Sequence, residues 1–285
     1  MADIKLFVCC HQPNRVPEHP ILVPVQVGSA LSDTRFEGFL HDDMGENISE
    51  KNHSYCELTA QYWAWKNVEA DYYGLFHYRR YLFPDLSADL PYQIEDSPTE
   101  EILQRLDYDS MSALIRQYDL IVPLGENMFV SVREHYANAP FHYKKDLDLI
   151  EQIIWERYPE YVTAMDTYFS GTVCYFGNIC IMKRQIFHDY CAWLFSVLEE
   201  FDRRADLSGY SHQELRVNGY LAERLLGVYI TMLRKEGNCS VLELPRVHFM
   251  GERCFRQRII NRLFPPGSRR RSLIKTYIHK RGVRP

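Results

Sequence analysis

The stretch DYYGLFHYRRY, residues 71–81, decides the fold. Its apolar run YYGLF, residues 72–76, is short and aromatic, and the polar run HYRR, residues 77–80, follows at once. Short apolar runs with such boundaries are typical of strands buried on both faces, as in parallel sheets covered by helices. We therefore predict an α/β fold with this strand inside the sheet and with the polar run at its carboxyl end.

Strand-like and helix-like patterns alternate along the rest of the chain. The predicted strands cover residues 4–10, 72–76, 118–123 and 240–245, with an interrupted one over 173–182, and the predicted helices cover 54–67, 147–158, 187–201 and 217–228. Ser54 and Glu57 have the spacing of a capping box at the start of the first of these helices. The alternation predicts a mostly parallel sheet flanked by helices, with residues 84–110 as a surface excursion.

Charge divides the chain into an acidic body and a basic tail. Residues 252–285 contain eleven of the 33 Lys and Arg residues and one of the 38 Asp and Glu residues, so the first 251 residues carry a net charge of −15. Apolar residues are interleaved with the basic ones, as in amphipathic helices that bind anionic membrane surfaces. We predict one domain over residues 1–250 and a basic amphipathic tail over 251–285, with a solvated terminus as the alternative.

Composition and motifs exclude several classes of protein. No apolar stretch reaches the roughly 18 residues that a membrane span requires, and the first residues lack the pattern of a secretory signal. The eight cysteines form no CxxC pair and several lie in apolar runs, which indicates a reducing compartment. The usual phosphate-loop, dinucleotide, serine-hydrolase and zincin motifs are also missing. We expect a cytoplasmic globular protein without a common catalytic motif.

Polar residues follow several of the predicted strands. They occupy residues 11–14, 77–80 and 125–127. The carboxyl ends of parallel strands share one edge of a sheet, and ligands bind in the crevice outside that edge. Arg79 and Arg80 offer forked hydrogen bonds to a diphosphate, and Tyr78 offers a ring that stacks on a base or sugar. The alternative is that these arginines pair with surface acids such as Asp85.

Further candidates lie before the first predicted helix and in the C-terminal half. Residues 41–52, HDDMGENISEKN, form the densest polar segment, which indicates either ligand recognition or a solvated loop; its adjacent carboxylates give only a weak metal signal. Asn178 follows a glycine inside an apolar run, which indicates close approach of a ligand or a β-bulge. Glu223 lies in an apolar helical context, where it is either a proton acceptor or half of an ion pair with Arg224.

Several blocks of the sequence together resemble one bacterial protein family. They are VCCHQP, VQVGSAL, DDMGENISEKNHSYCELTAQYWAWKN, DYYGLFHYRRY, YDLIVP, EHYANAPF, GNICIMKRQIFHDYCAWLF and RVNGYLAERL, within residues 4–250. The family, long described as a domain of unknown function, builds capsular polysaccharide and O-antigen and is associated with galactofuranosyl transfer. The resemblance implies a fold related to the Rossmann-like A-type glycosyltransferases, UDP-galactofuranose as donor and inversion to a β-linked product.

The resemblance also implies roles for the candidate residues. A-type enzymes usually bind a metal through an Asp-x-Asp where this chain has HYRRY, so we expect Arg79 and Arg80 to replace the metal and no metal or other cofactor to be required. By analogy we predict Glu223 as the catalytic base, with Asp43 in reserve. The predicted donor-binding residues are His11, Asp42, Asn47, Asn52, His77, Tyr78, Arg79, Arg80 and Asn178, and the predicted acceptor-binding residues are His135 and Tyr136.

The expected partners are a UDP-sugar and a lipid-linked glycan acceptor, with residues 252–285 holding the enzyme at the inner face of the cytoplasmic membrane. One alternative keeps the fold but transfers a pyranose, because nothing in the sequence specifies the ring size of the sugar. Another is a non-catalytic protein that binds nucleotide sugars or other anions. The acidic body argues against nucleic acid as a partner.

Overall fold

The computed structural model describes residues 2–251, 260–265, 268, 270 and 271. Within them, ten strands form one mixed sheet and two more form a separate ribbon. The strands are β1 (Ile4–Cys10), β2 (Leu22–Gln26), β3 (Leu40–His41), β4 (Tyr72–His77), β5 (Arg80–Leu82), β6 (Tyr92–Glu95), β7 (Leu120–Pro123), β8 (Glu126–Asn127), β9 (Val173–Cys174), β10 (Cys180–Lys183), β11 (Val241–Leu244) and β12 (Arg246–Phe249). The helices are α1 (Asn52–Tyr55), α2 (Leu58–Asn67), α3 (Glu100–Arg105), α4 (Tyr108–Ile115), α5 (Val132–Asn138), α6 (Lys144–Arg157), α7 (Val162–Ser170), α8 (Arg184–Arg204) and α9 (Val217–Glu236).

The main path of the sheet has the strand order β11-β7-β10-β4-β1-β2-β3. Neighbours on this path are parallel except at β10, which runs antiparallel to both β4 and β7. Beyond the carboxyl end of β4 the chain turns back into β5, which pairs with β12, and β12 in turn pairs with β6. The predicted α/β fold with a mostly parallel sheet flanked by helices is therefore confirmed.

The strand β4 lies in the middle of the sheet, as its apolar sequence requires. It pairs with β1 so that Leu6 lies opposite Gly74 and Cys9 opposite His77. A Cβ atom on Gly74 would stand 2.3 Å from Cδ2 of Leu6, so glycine allows the two strands to pack side by side here. The pairing places the polar run after β4 next to the residues that follow β1.

Alternate residues of β4 point into separate apolar clusters on the two faces of the sheet. Tyr73 and Leu75 pack with the buried sides of α2, α6, α7, α8 and α9. Tyr72 and Phe76 pack with α4 and with residues of β12 on the opposite face. The period of two along a strand thus gives each face of the sheet its own core.

The predicted helix over residues 54–67 is broken at Cys56, which has a φ of 51° and separates α1 from α2. The predicted capping box is wrong, because its two side chains bond elsewhere. Ser54 Oγ accepts a hydrogen bond from Asn218 Nδ2 at 3.1 Å, and Glu57 Oε1 accepts one from Asn178 Nδ2 at 2.9 Å. Both partners are distant in sequence, so helical spacing gave no sign of them.

Residues 84–110 are more ordered than the predicted excursion. They contain β6 and α3 and the start of α4, and β6 joins the sheet through β12. Thr99 and Asp107 cap the two helices through their side-chain oxygens. No helix in the described part of the chain is long and apolar enough to cross a membrane. Most of the predicted basic tail lies outside the described residues, and the domain boundary at residue 250 stays a prediction.

Candidate functional site

A cavity of about 280 Å³ lies at the carboxyl end of β4. The residues that line it come from the α1–α2 junction, the β4–β5 turn, α5 and the loop after it, the loop before β10, and the start of α9. They are Cys56, Glu57, His77, Arg79, Arg80, His135, Ala139, His142, Phe176, Arg216, Gly219, Tyr220, Glu223 and Arg224. Side chains from distant parts of the sequence thus converge at the edge of the sheet where the strand order predicts a ligand site.

The β4–β5 turn supplies the end of the cavity that is nearest the sheet. His77 pairs with Arg80 across this turn, and the backbone N–H of Arg79 donates to Nδ1 of His77 at 3.2 Å. Burial, together with the adjacent charges of Arg80 and Arg79, lowers the pKa of His77 to about 2. His77 is therefore neutral, and the positive charge of the turn resides on the arginines.

The helix α9 supplies further guanidinium groups to the same cavity. Arg224 is almost completely buried; its Nη1 lies 3.3 Å from Oε2 of Glu223, and its guanidinium lies over the ring of Phe176. Arg216 precedes α9, and its Nε lies 3.3 Å from Sγ of Cys56. The arginines outweigh Glu57 and Glu223 in the cavity lining, and burial raises the pKa of Glu57 despite the hydrogen bond from Asn178. The cavity is therefore suited to a multiply charged anion.

The loop before β10 holds Glu223 in place. The backbone N–H of Gly177 donates to Oε1 of Glu223 at 2.8 Å. Gly177 has a φ of 97° and the next residue, Asn178, has a φ of 50°. Two successive residues thus have positive φ, a backbone conformation that residues other than glycine rarely adopt. Asn178 Nδ2 bridges Oε1 of Glu57 and the carbonyl oxygen of Gly219. The strained loop therefore links both carboxyl groups of the cavity lining.

Arg246 on β12 supports the loop before β10, and this residue was not predicted from the sequence. Its side chain is 1% exposed, it forms an ion pair with Glu126, and its Nη1 donates to the carbonyl oxygen of Phe176 at 2.6 Å. A charged residue at the start of the short strand RVHF was the available signal, because buried arginines need a partner. Glu57, His142 and Arg216 also line the cavity without having been predicted.

Residues predicted for the diphosphate, for the acceptor and as the catalytic base come together at the cavity. His77, Arg79, Arg80, His135 and Glu223 line it directly. His11 and Tyr78 lie beside them, outside the lining: the ring of His11 is 6.3 Å from that of His77, and the hydroxyl of Tyr78 is 3.4 Å from Nε2 of His11. Asn178 lies beneath the cavity and bonds to residues that line it.

The residues predicted from the segment before α1 lie outside the cavity lining and make local bonds. Asp42 is fully buried and accepts hydrogen bonds from the backbone of Gly28 and Ser29 and from the hydroxyl of Ser49. Asp43 forms a bidentate pair with Arg35, with N–O distances of 2.8 and 2.5 Å, and the hydrogen bond from Arg35 lowers its pKa. Both carboxylates thus hold the loops around β2 and β3.

The remaining predicted residues also lie behind the lining. The side chain of Asn47 closes a turn with the backbone of Asp43, Gly45 and Ser49. Asn52 Nδ2 donates to the carbonyl oxygen of Cys56 and thereby steadies the break between α1 and α2. Tyr136 is fully buried, with its ring edge-on to that of His142 at 4.6 Å. Their assignment to the donor or the acceptor stays a prediction.

In the described ranges there is no group of three or more His, Cys, Asp and Glu side chains with the geometry to hold a metal ion. Arg79 and Arg80, which we expect to take the part of a metal-binding Asp-x-Asp, both line the cavity at the β4–β5 turn, and the independence from metal stays a prediction. The donor atoms at this turn are guanidinium nitrogens, which bind anions and repel cations.

The fold and the cavity define an α/β protein with an arginine-rich cleft at the strand ends of a mostly parallel sheet. The family described as "Domain of unknown function (DUF4422)" matches residues 5–235, and the chain belongs to this family. The solved apo structure of WbbM, described as a bifunctional glycosyltransferase, has the same fold, with a TM-score of 0.83 and 32% sequence identity over 88% of this chain. The match covers 46% of the WbbM chain. No curated protein matches this chain significantly.

Proposed function

We propose that this chain is a glycosyltransferase that transfers galactofuranose from UDP-galactofuranose to a lipid-linked sugar acceptor with inversion at the anomeric carbon. Membership of the family and the fold shared with WbbM at 32% identity support a glycosyltransferase role. The observation that carries the proposal is the convergence of Arg79, Arg80, Arg216 and Arg224 with Glu223 in one cavity at the carboxyl end of β4. The identity of the donor sugar rests on the sequence resemblance.

The proposed role of Arg79 and Arg80 is to bind the diphosphate of the donor. A guanidinium forms forked, charge-assisted hydrogen bonds with phosphate oxygens. The two arginines are consecutive, with Arg79 in the β4–β5 turn and Arg80 at the start of β5. As the bond between the sugar and UDP breaks, negative charge grows on the leaving phosphate, and fixed positive charges stabilise it. The bond from the Phe249 backbone N–H to the Arg79 carbonyl oxygen, at 2.8 Å, fixes the turn before the ligand arrives.

The proposed role of Glu223 is to take the proton of the acceptor hydroxyl. The hydroxyl oxygen forms a new bond to C1 of the donor sugar while the bond from C1 to the UDP oxygen breaks, and UDP leaves with the electron pair. Glu223 is held by the Gly177 N–H and by Arg224, yet a carboxylate has room for about four hydrogen bonds. A positioned base of this kind contributes about 10²- to 10⁴-fold to the rate.

A product assay tests the proposal. The protein is incubated with UDP-galactofuranose or UDP-galactopyranose and a panel of lipid-linked mono- and disaccharide acceptors, and NMR determines the ring form and anomeric configuration of the product. Transfer of a β-linked furanose supports the proposal. Transfer of a pyranose supports the alternative of a UDP-hexopyranose transferase, and tight UDP binding without transfer from any donor supports a non-catalytic binding protein.

We also propose that the basic tail holds the protein on the inner face of the cytoplasmic membrane, where lipid-linked acceptors lie. The support is the charge of residues 252–285, because each basic residue near an anionic bilayer adds about 1 kcal/mol of attraction. Flotation with vesicles that contain phosphatidylglycerol tests this. The full chain is expected to float at low salt, whereas a chain that ends at residue 251 is expected to stay at the bottom; equal flotation of the two would refute the proposal.

A further inference from the structure

His142 lies in the loop between α5 and α6 and lines the cavity without a role in the proposed chemistry. The residue before it, Phe141, has a φ of 64° and an exposed ring. Left-handed backbone at a bulky residue costs about 1–3 kcal/mol and persists only where the surroundings impose it. With this backbone conformation at Phe141, the ring of the next residue, His142, stacks on the ring of Tyr220, with 4.2 Å between the ring centroids.

The hydrogen bond at Nδ1 fixes the tautomer of His142. This nitrogen lies 2.6 Å from the carbonyl oxygen of Pro140, and a carbonyl oxygen accepts but never donates. Nδ1 therefore carries the proton. Burial lowers the pKa of His142 and outweighs the hydrogen bond to Pro140, which raises it, so the ring is neutral at pH 7. Nε2 is left with a lone pair, as an acceptor of hydrogen bonds.

The ring of His142 that carries this lone pair lines the cavity. No hydrogen bond to Nε2 of His142 occurs within the described ranges. Nε2 is also not one of the fully buried polar atoms without a partner, so a ligand can reach it. The ring is fixed on its other sides by the Pro140 carbonyl, by Tyr220 and by the edge of the buried Tyr136 ring. The acceptor nitrogen is therefore held in one orientation before any ligand binds.

An acceptor atom selects a different ligand group from the arginines. Arg79, Arg80, Arg216 and Arg224 only donate hydrogen bonds, and they suit phosphate oxygens. A phosphate oxygen gains nothing from the Nε2 lone pair, because both carry negative charge density. A sugar hydroxyl donates to Nε2, and Tyr220, which also lines the cavity, offers apolar ring surface to the C–H groups of the sugar.

We propose that His142 and Tyr220 form the binding subsite for the carbohydrate of the acceptor, with Nε2 of His142 accepting a hydrogen bond from one of its hydroxyl groups. The inference rests on the proposed transferase function and extends it, because it locates the acceptor sugar at the loop between α5 and α6. This subsite lies on different elements from the β4–β5 turn that binds the diphosphate. It takes a neutral polyol, whereas the arginines take the anion.

The first test uses steady-state kinetics of His142→Phe and His142→Gln. Phenylalanine keeps the stacking ring and removes the acceptor atom, whereas the amide oxygen of glutamine restores one. We expect His142→Phe to raise the KM for the lipid-linked acceptor about fivefold to tenfold, as for one lost hydrogen bond, and to leave the Kd for UDP within twofold. His142→Gln is expected to recover part of the loss. His212→Phe, an exposed histidine outside the cavity, is the control.

The second test does not depend on turnover. Saturation-transfer NMR measures binding of octyl β-galactoside and octyl β-glucoside to UDP-loaded protein. Stronger saturation of the sugar protons in the wild type than in His142→Phe supports the subsite even if no donor is transferred, in which case the proposed function alone fails. Equal saturation of both proteins, no saturation of either, or a loss of UDP binding as large as the loss of the glycoside overturns the inference.

Discussion

Gly177 and Glu223 are 46 residues apart in sequence, and the backbone N–H of the first donates to Oε1 of the second at 2.8 Å. This bond joins the strained loop before β10 to the helix α9. Because Arg224 binds the other oxygen of Glu223, the carboxylate is held in one orientation at the wall of the cavity. The proposed role of Glu223 as the catalytic base depends on this placement.

The first prediction concerns the charge of Glu223. Glu223→Gln keeps the size of the side chain and an oxygen for the Gly177 N–H, but it removes the proton acceptor. We expect kcat to fall about 10²- to 10⁴-fold with little change in the Kd for UDP. Glu236→Gln, at the exposed end of the same helix, is the matched control. Wild-type turnover by Glu223→Gln would end its assignment as the base, and circular dichroism of each variant checks the fold.

The second prediction compares two glycines with similar backbones. Gly177 has a φ of 97° and Gly209 a φ of 80°, so alanine at either position costs about 1–3 kcal/mol of unfolding free energy. A Cβ on Gly177 would stand 3.3 Å from Cδ1 of Ile179 and 3.5 Å from Nη1 of Arg80, whereas a Cβ on Gly209 meets nothing within 4 Å.

We therefore expect both alanine variants to unfold at lower urea concentration, but only Gly177→Ala to lose activity, by about tenfold to hundredfold, because the N–H that holds Glu223 shifts. Equal activity of the two variants at a temperature where both are folded would show that the loop does not position the carboxylate.

The third prediction concerns acid. Burial, with Arg80 and Arg79 nearby, lowers the pKa of His77 from 6.5 to about 2, so the unfolded chain takes up a proton below pH 6.5 that the folded chain refuses. Stability from this source is complete above pH 6.5 and is lost as the pH falls toward 2. We expect His77→Gln to lose less unfolding free energy than the wild type between pH 7 and pH 5, as measured by urea titration. A parallel decline of the two proteins contradicts the burial of a neutral His77.

The fourth prediction concerns metal removal. If the guanidinium groups of Arg79 and Arg80 neutralise the leaving diphosphate, a divalent cation has no required role there. We expect the transfer rate in excess EDTA to stay within about twofold of the untreated rate. Loss of a cation that stabilised the leaving diphosphate would lower the rate far more than twofold. Activity that vanishes in EDTA and returns with Mn²⁺ would contradict the substitution of metal by arginine.

Much of the fold was readable from the sequence because buried strands and amphipathic helices have strong local patterns. β1 was predicted with its observed ends, residues 4–10, and β4 was predicted one residue short. The direction of β10 was not readable, because an apolar run looks the same in either direction. The break at Cys56 was missed because helical spacing does not reveal the contacts that Cys56 makes. Its carbonyl oxygen accepts a hydrogen bond from Asn52, and its thiol contacts Arg216, which is distant in sequence.

The site was only partly readable, for a related reason. Arg79 and Arg80 were predicted because they directly follow a buried strand, and the strand order places them at the cavity. The dense polar segment around Asp42 also looked like a ligand site, but a buried carboxylate that accepts bonds from Gly28, Ser29 and Ser49 gives the same pattern. Nothing in the sequence indicated that His142 lines a ligand site. Its proposed role follows from its contacts with the Pro140 carbonyl oxygen and the Tyr220 ring, and sequence patterns do not reveal such contacts.

The most direct test of the central claim is the affinity for UDP measured by isothermal titration calorimetry. The claim is that the arginines of the β4–β5 turn bind the nucleotide diphosphate. The double variant Arg79→Gln/Arg80→Gln is expected to bind UDP about 100-fold more weakly than the wild type, since charge-assisted pairs are lost, while Arg116→Gln on the exposed surface of α4's end changes nothing. Wild-type UDP affinity in the folded double variant would contradict the account.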